Sequence, residues 1–402
     1  MKIAFVHYHL KTGGVTTVLK RQVSAVLHED CDAVVLTGDR ATAELPCQVV
    51  EIPGLGYDQP GLAPPAAEVV AERLIKVLLA KWPGGCDVLH IHNPTLAKNR
   101  QFLKIIKRLQ QAGVNLFLQI HDFAEDGRAD LYFKEDYPAD CHYGVINVHD
   151  FAVLNGAGLE RAGLHHLPNA IGDLAAKPCR FTKPQILYPV RAIRRKNLGE
   201  AILLSMCFKN GQRLAVTQPP NSHGDRASYG DWVVWVRRHH LRIDFEVGTR
   251  VDFPTLIGNS ESMVTTSISE GFGLAFLEPW TAGKLLWGRR LAKVCADFEE
   301  NGVNLACLYD RFDIPLTWID VHAFSRDWHR SVDIAAERYK HDLAADASKH
   351  AFTRMTRDKI IDFGLLSEKF QRQVLTRLIA QPSAKAELVR LNPWLSHLGE
   401  VS

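Results

Sequence analysis

Ser269-Glu270-Gly271-Phe272-Gly273-Leu274-Ala275-Phe276-Leu277-Glu278 joins a strand pattern to a helix pattern, a junction that recurs along the chain. Before it, Ser262-Met263-Val264-Thr265-Thr266 reads as a buried strand; after it, a helix is expected, with Glu278 inside. Gly271 and Gly273 lie at the turn. Glycine lets backbone N–H groups approach a ligand closely, and a helix N-terminus favours anions. Glu270 and Glu278, eight residues apart, suit two hydroxyl-bearing parts of one extended ligand with a phosphate between them. The same residues also suit a plain strand-to-helix turn with two solvated glutamates.

Upstream, short apolar runs alternate with longer amphipathic segments. Strands are predicted at 3–7, 33–36, 88–91, 116–120 and 143–148, and helices at 15–27, 68–81, 96–111 and 149–162. Pro168 to Pro184, with Gly172 and Pro178 between, reads as a linker. The alternation then restarts, with strands at 186–190, 214–217 and 241–245 and helices at 198–208, 229–240 and 254–260. Such alternation predicts parallel sheets with helices on both faces. Two consecutive halves predict an α/β protein of two Rossmann-like domains whose strand ends face each other across a cleft.

Length and composition agree. A chain of 402 residues exceeds one ordinary core, and 46% hydrophobic with 23% charged residues is a globular balance. A formal net charge of +3 argues against a dedicated nucleic-acid binder. The eight cysteines are scattered without a CxxC pair, so zinc is not expected, and reduced thiols in a cytoplasmic protein are. No apolar run reaches the roughly 18 residues of a membrane span. Peripheral membrane contact stays open, and oligomeric state is unreadable.

Lys11-Thr12-Gly13-Gly14-Val15-Thr16-Thr17 follows the first strand and opens a helix. It is neither a GxGxxG fingerprint nor a Walker loop, which leaves an anion cradle or a tight turn. Arg191-Ala192-Ile193-Arg194-Arg195-Lys196 follows the first strand of the second half. Arginine clamps a diphosphate with paired N–H bonds and lysine adds a point charge, although a basic run is equally a solvated face. Gln119-Ile120-His121-Asp122-Phe123 ends another strand, and His90-Ile91-His92-Asn93-Pro94 a further one. His90 and His92 share one strand face, but without a third ligand no metal is expected.

Together these motifs resemble the retaining glycosyltransferases of family four, which have the two-Rossmann GT-B fold. The resemblance spans most of the chain: Gly13-Gly14, His121-Asp122, Leu167-Pro168-Asn169-Ala170-Ile171, Arg191 with Lys196, and Glu270-x7-Glu278 stand in the family's order. It implies an acceptor-side domain over 1–172, a nucleotide-sugar-binding domain over 181–364, and terminal helices from about 365 to 402 packing back on the first domain.

It also implies roles. Glu270 contacts the donor sugar and Glu278 the nucleotide ribose. The N–H groups around Phe272, Gly273 and Leu274 hold sugar hydroxyls and diphosphate. Arg191 and Lys196 neutralise the leaving diphosphate, Gly13 and Gly14 bring backbone close to the phosphates or acceptor, and His121 lines the reacting centre. The donor is a UDP-, GDP- or ADP-sugar, the acceptor is unidentified, and no metal or cofactor is required. The shared fold also admits a nucleotide-sugar epimerase, a phosphorylase or a non-catalytic sugar-nucleotide-binding protein. Departures from the family pattern are Val190 in place of a glycine before Arg191, Leu285-Leu286-Trp287-Gly288-Arg289-Arg290 after Lys284, and Asp297-Phe298-Glu299-Glu300-Asn301-Gly302 in place of a glutamate loop. Arg289 and Arg290 are candidates for replacement phosphate contacts or a plain surface pair. Arg128 and the loops at 54–65 and 125–138 are candidates for shaping the acceptor site.

Overall fold

The alternation within the first strand sets the layers of the first unit. A computed structural model describes residues 1–11, 13–39, 44–123, 129–177, 185–209 and 211–397. Thr12, the 125–128 loop with Arg128, and the linker portion 178–184 lie outside the described residues. The chain forms two compact units, Met1–Ala170 and Ile171–Ser402.

In the first unit the strands are β1 (Lys2–His7), β2 (Asp32–Thr37), β3 (Gln48–Glu51), β4 (Val88–His92), β5 (Leu116–Ile120), β6 (His142–Val145) and β7 (Leu164–His166). They form a parallel sheet in the order β3-β2-β1-β4-β5-β6-β7. The helices are α1 (Gly14–His28), α2 (Ala67–Lys81), α3 (Phe102–Gln111) and α4 (Val148–Gly156). Ile3 and Phe5 pack with Leu19 and Val23 of α1. Their alternates Ala4 and Val6 pack with Val70 and Leu74 of α2 and Phe102 and Ile105 of α3. Both faces are covered, which is why the strands read as unbroken apolar runs. The expected helix over 96–111 begins only at Phe102, because Asn99 is held outside it: its Nδ2 donates to the carbonyls of Gly54 and Gly56, both at 2.8 Å.

The second unit repeats the plan. Its strands are β8 (Gln185–Arg191), β9 (Arg213–Gln218), β10 (Ile243–Asp244), β11 (Ser260–Thr265), β12 (Leu285–Arg289) and β13 (Leu308–Tyr309), in the order β10-β9-β8-β11-β12-β13. In both sheets the topological switch falls beside the first strand, as in Rossmann folds. An antiparallel pair, β14 (Asp313–Pro315) and β15 (Ile360–Asp362), follows. The helices are α5 (Leu198–Ser205), α6 (His223–Arg238), α7 (Phe253–Asn259), α8 (Glu278–Thr281), α9 (Ala292–Glu300), α10 (Val321–Tyr339), α11 (Ala347–Met355), α12 (Glu368–Ala380) and α13 (Pro382–Leu391).

Two expectations need correction. The terminal helices do not belong to the first unit: Phe370, Val374 and Leu375 of α12 and Leu388 of α13 share one buried cluster with Tyr188, Val216 and Trp232. Their apolar faces thus complete the second unit's core. The stretch 297–302, expected as a loop, mostly belongs to α9.

Candidate active site

In the second unit the basic run is pinned to the end of the sheet. Residues 194–196 form a single 3-10 turn after β8. Tyr188 OH is hydrogen-bonded to Thr266 Oγ1 at 2.7 Å and donates to the Lys196 carbonyl, to which Thr266 Oγ1 also donates at 2.9 Å. The Ile268 N–H donates to the Arg195 carbonyl at 2.9 Å. Asn197 takes the left-handed conformation (φ 57) that asparagine tolerates, and caps α5. Its side chain is fixed on both sides, donating to Glu200 Oε2 at 2.7 Å and accepting from Gln371 Nε2 at 2.8 Å.

This backbone delivers the Lys196 ammonium onto the Glu270 carboxylate, with both side chains largely buried. Burial alone would raise the Glu270 pKa; the Lys196 ammonium, the Arg195 guanidinium and the Lys196 hydrogen bond outweigh it and hold the carboxyl below its ordinary range. Glu270 is therefore an ionised acceptor at neutral pH. Arg191, the last residue of β8, donates to Asn221 Oδ1.

The helix expected after Gly273 is largely absent. Gly273 has φ +85 and leads into a 3-10 turn, Leu274–Phe276. The helix α8 that follows has four residues and starts at Glu278. Two physical causes are visible: Gly273 is left-handed, and Pro279 lacks the N–H that would continue a helix from before Glu278. A Cβ on Gly273 would lie 2.6 Å from Phe276 Cδ2, so the turn requires glycine. The ring of Phe272 packs edge-on against Phe298 at 5.3 Å, which leaves its backbone, and not its side chain, for ligand contact.

Arg289 is neither a surface residue nor placed for phosphate. Its guanidinium is buried, donating to Glu200 at 2.8 and 2.9 Å and to Asp362 at 2.7 and 2.8 Å. Tyr309 OH donates to Glu200 Oε1 at 2.7 Å. A Cβ at Gly364 would lie 2.6 Å from the guanidinium carbon, so glycine makes room for the arginine. Arg290 pairs with Glu299 and Asp310. This network carried no signal in the chain order, since Arg289 is 89 residues from Glu200 and 73 from Asp362.

In the first unit Gly13 and Gly14 open α1. Gly13 is extended (φ 175), no side chain caps the helix, and its first turn holds no acidic residue. A Cβ at Gly14 would meet nothing within 4 Å, so folding does not demand glycine there. His121, just beyond β5, is buried, and its Nε2 lies 2.9 Å from His92 Nδ1. His7 and His90 are buried nearby. Burial pushes His121 and His7 down to about 3 and His90 to about 4, and His92 lower than its ordinary value too; all four rings are neutral at pH 7. Among the described residues no group of three or more His, Cys, Asp or Glu is placed to hold a metal ion, and no helix is long and apolar enough to cross a membrane.

No family model matches the chain. It is 24% identical to mannosylglucosyl-3-phosphoglycerate synthase of Petrotoga mobilis, over 91% of this chain and 79% of that protein. Its fold resembles sucrose-phosphate synthase of Thermosynechococcus elongatus, with a TM-score of 0.56 at 16% identity over 89% of this chain and 98% of that one. It also resembles Anabaena HepE in complex with UDP-glucose, with a TM-score of 0.55 at 14% identity over 96% of this chain and all of that one (100%). Fold and relative together give the class: a GT-B fold of two Rossmann-like domains, and an enzyme of the glycosyltransferase kind.

Proposed function

We propose that the protein is a retaining glycosyltransferase of the family-four type, moving a sugar from a nucleotide-diphosphate sugar to an acceptor hydroxyl without a metal. The observation that carries this reading is the buried Lys196–Glu270 pair at the strand ends of the second unit, beside the glycine-demanding turn at Gly273. Glu270, kept ionised, accepts hydrogen bonds from donor-sugar hydroxyls. The backbone N–H groups of Phe272, Gly273 and Leu274 serve the sugar and diphosphate, and Glu278 takes the ribose. Breaking the bond from the anomeric carbon to the phosphate oxygen builds negative charge on that oxygen. Arg191 and Lys196 are fixed cations to meet it. The acceptor oxygen attacks the same sugar face, and its proton passes to the departing phosphate oxygen. No protein base is then needed, which suits a first unit whose buried histidines are poor proton acceptors at neutral pH.

The first unit is read as the acceptor side, with Gly13 and Gly14 bringing backbone close to the donor phosphates or the acceptor and His121 lining the reacting centre. The relative's named product carries a phosphoglycerate, and HepE binds UDP-glucose. A phosphorylated acceptor and a UDP-sugar are therefore the first pair to assay, with GDP- and ADP-sugars beside them.

The test incubates each donor with and without acceptor and follows sugar transfer and the anomeric configuration of the product. Acceptor-dependent transfer with retention is expected, and Glu270→Ala and Lys196→Ala should each lower it by about 10²–10³ in folded protein. Conversion of the donor alone would mean an epimerase, turnover with phosphate alone a phosphorylase. Nucleotide binding without any turnover would mean a binding protein.

A further inference from the structure

The ends of β4 and β5 are laced together around two imidazoles. The backbone N–H of His121 donates to Asn93 Oδ1 at 3.1 Å, and the backbone N–H of Asn93 donates to the Gln119 carbonyl at 2.8 Å. The ring planes are held nearly parallel. His90 stacks on His92 at 4.6 Å with 9° between planes, and His92 on His121 at 5.2 Å with 15°. His90 is fixed in turn, since Gln119 Oε1 accepts from His90 Nε2 at 2.8 Å and from Gln22 Nε2 at 3.0 Å.

The contact between His92 Nδ1 and His121 Nε2 holds one proton, so the tautomers of the two rings are coupled. If His121 donated from Nε2, the proton of His92 would sit on its own Nε2. That atom is fully buried and has no hydrogen-bond partner among the described residues. A buried N–H left unpaired is the rarer and costlier defect; an unpaired acceptor lone pair is tolerated more often. The opposite assignment leaves only a lone pair at that position.

We propose that His92 is a positioning residue: its Nδ1–H donates to His121 Nε2 and locks His121 as the neutral Nδ1–H tautomer. His121 then offers an N–H to an oxygen of a bound sugar and cannot act as a base through Nδ1. That use of the proton rests on placing His121 at the acceptor side, as proposed above; the tautomer itself does not. Burial supports the neutral form of both rings.

The test is nitrogen NMR of the full chain labelled at histidine, assigned through His92 and His121 variants, together with transfer kinetics. His121 should show a protonated Nδ1 and an unprotonated Nε2. His92→Leu should lose that signature and lower kcat by roughly tenfold or more with donor KM little changed, as for outer residues that orient a functional ring. His92→Asn, whose amide can donate from near the Nδ1 position, should restore both. A wild-type His121 protonated on Nε2, or an unchanged His121 signature in His92→Leu, overturns the proposal. Should His92→Leu misfold, the wild-type spectrum still decides. If the tautomer is as stated but His121→Ala transfers sugar normally, it is the placement of His121 that fails.

Discussion

The two units share one strand order and differ in what they put at the strand ends. The second presents oppositely charged side-chain types in contact: Lys196 on Glu270, and Arg289 between Glu200 and Asp362. The first presents imidazoles that burial keeps neutral, joined ring to ring. The contrast follows the chemistry proposed for each. Charge develops on the donor's leaving phosphate, where fixed cations are worth most in a dry site. An acceptor whose proton goes to that phosphate asks its own side for hydrogen bonds and shape, not for a charged base.

The largest expected effect strikes the charged side. Arg289→Met would strip both Glu200 and Asp362 of their partner inside the second unit. Removing one member of a buried ionic network costs about 3–5 kcal/mol. Hydrogen exchange read by mass spectrometry should show faster opening in β12, α5 and β15 while β1, β4 and β5 keep their protection. An unchanged denaturation midpoint would mean that the network is not a keystone. Next comes Lys196→Ala, expected to lower kcat by about 10²–10³, or roughly 2.7–4 kcal/mol of barrier. Its far-ultraviolet circular dichroism should match the parent. A wild-type kcat would remove the cation from the mechanism and with it half of the contrast.

The glycines sharpen the comparison at smaller scale. Gly273→Ala forces a Cβ into the left-handed region and against Phe276, and should cost about 1–3 kcal/mol with a higher donor KM. Gly14→Ala meets nothing within 4 Å and should change stability by no more than about 0.5 kcal/mol. Any loss of transfer in Gly14→Ala would then report ligand contact alone. Equal destabilisation by both would show that Gly14 is structural.

What could be read in the chain follows the range of the interactions. Ile3 to Val6 announced a doubly covered strand because the covering is local in pattern, and Glu270 stood out because its strand and glycines are contiguous. The helix after Gly273 was over-read: apolar Leu274, Phe276 and Leu277 mimic a helical stripe, while Gly273 and Pro279 decide against it. Arg289 could not be placed from sequence, since its meaning comes from Glu200, Asp362 and the space left by Gly364. His92 was visible as a strand-end histidine. Its partner lies 29 residues away, on the neighbouring strand, and only the parallel register pairing His92 with Gln119 brings His121 within reach.

The finest test of the contrast is titration. His7, His90 and His121 ionise in the folded chain at about 3, 4 and 3, against an ordinary 6.5, and His92 lies below its ordinary value as well. Burial is the largest cause for each. Their folded values are depressed, so the unfolded chain binds protons first. The stability they contribute is complete above pH 6.5 and drains away as pH falls toward the folded values, by about 1.4 kcal/mol per pH unit for each ring well below 6.5. Glu270 is also depressed, but from 4.5, so its contribution is lost only below that pH. Between pH 6.5 and 4.5 the first unit should therefore weaken while the Glu270 site holds. Hydrogen exchange corrected for the intrinsic rate at each pH should show β1, β4 and β5 losing protection in that window, with β8 and β11 steady. His121→Gln should flatten the first unit's slope by one ring's share. A first unit that keeps or gains protection on acidification would mean that the imidazoles are already charged at neutral pH, and the division between a charged side and a neutral one would fall.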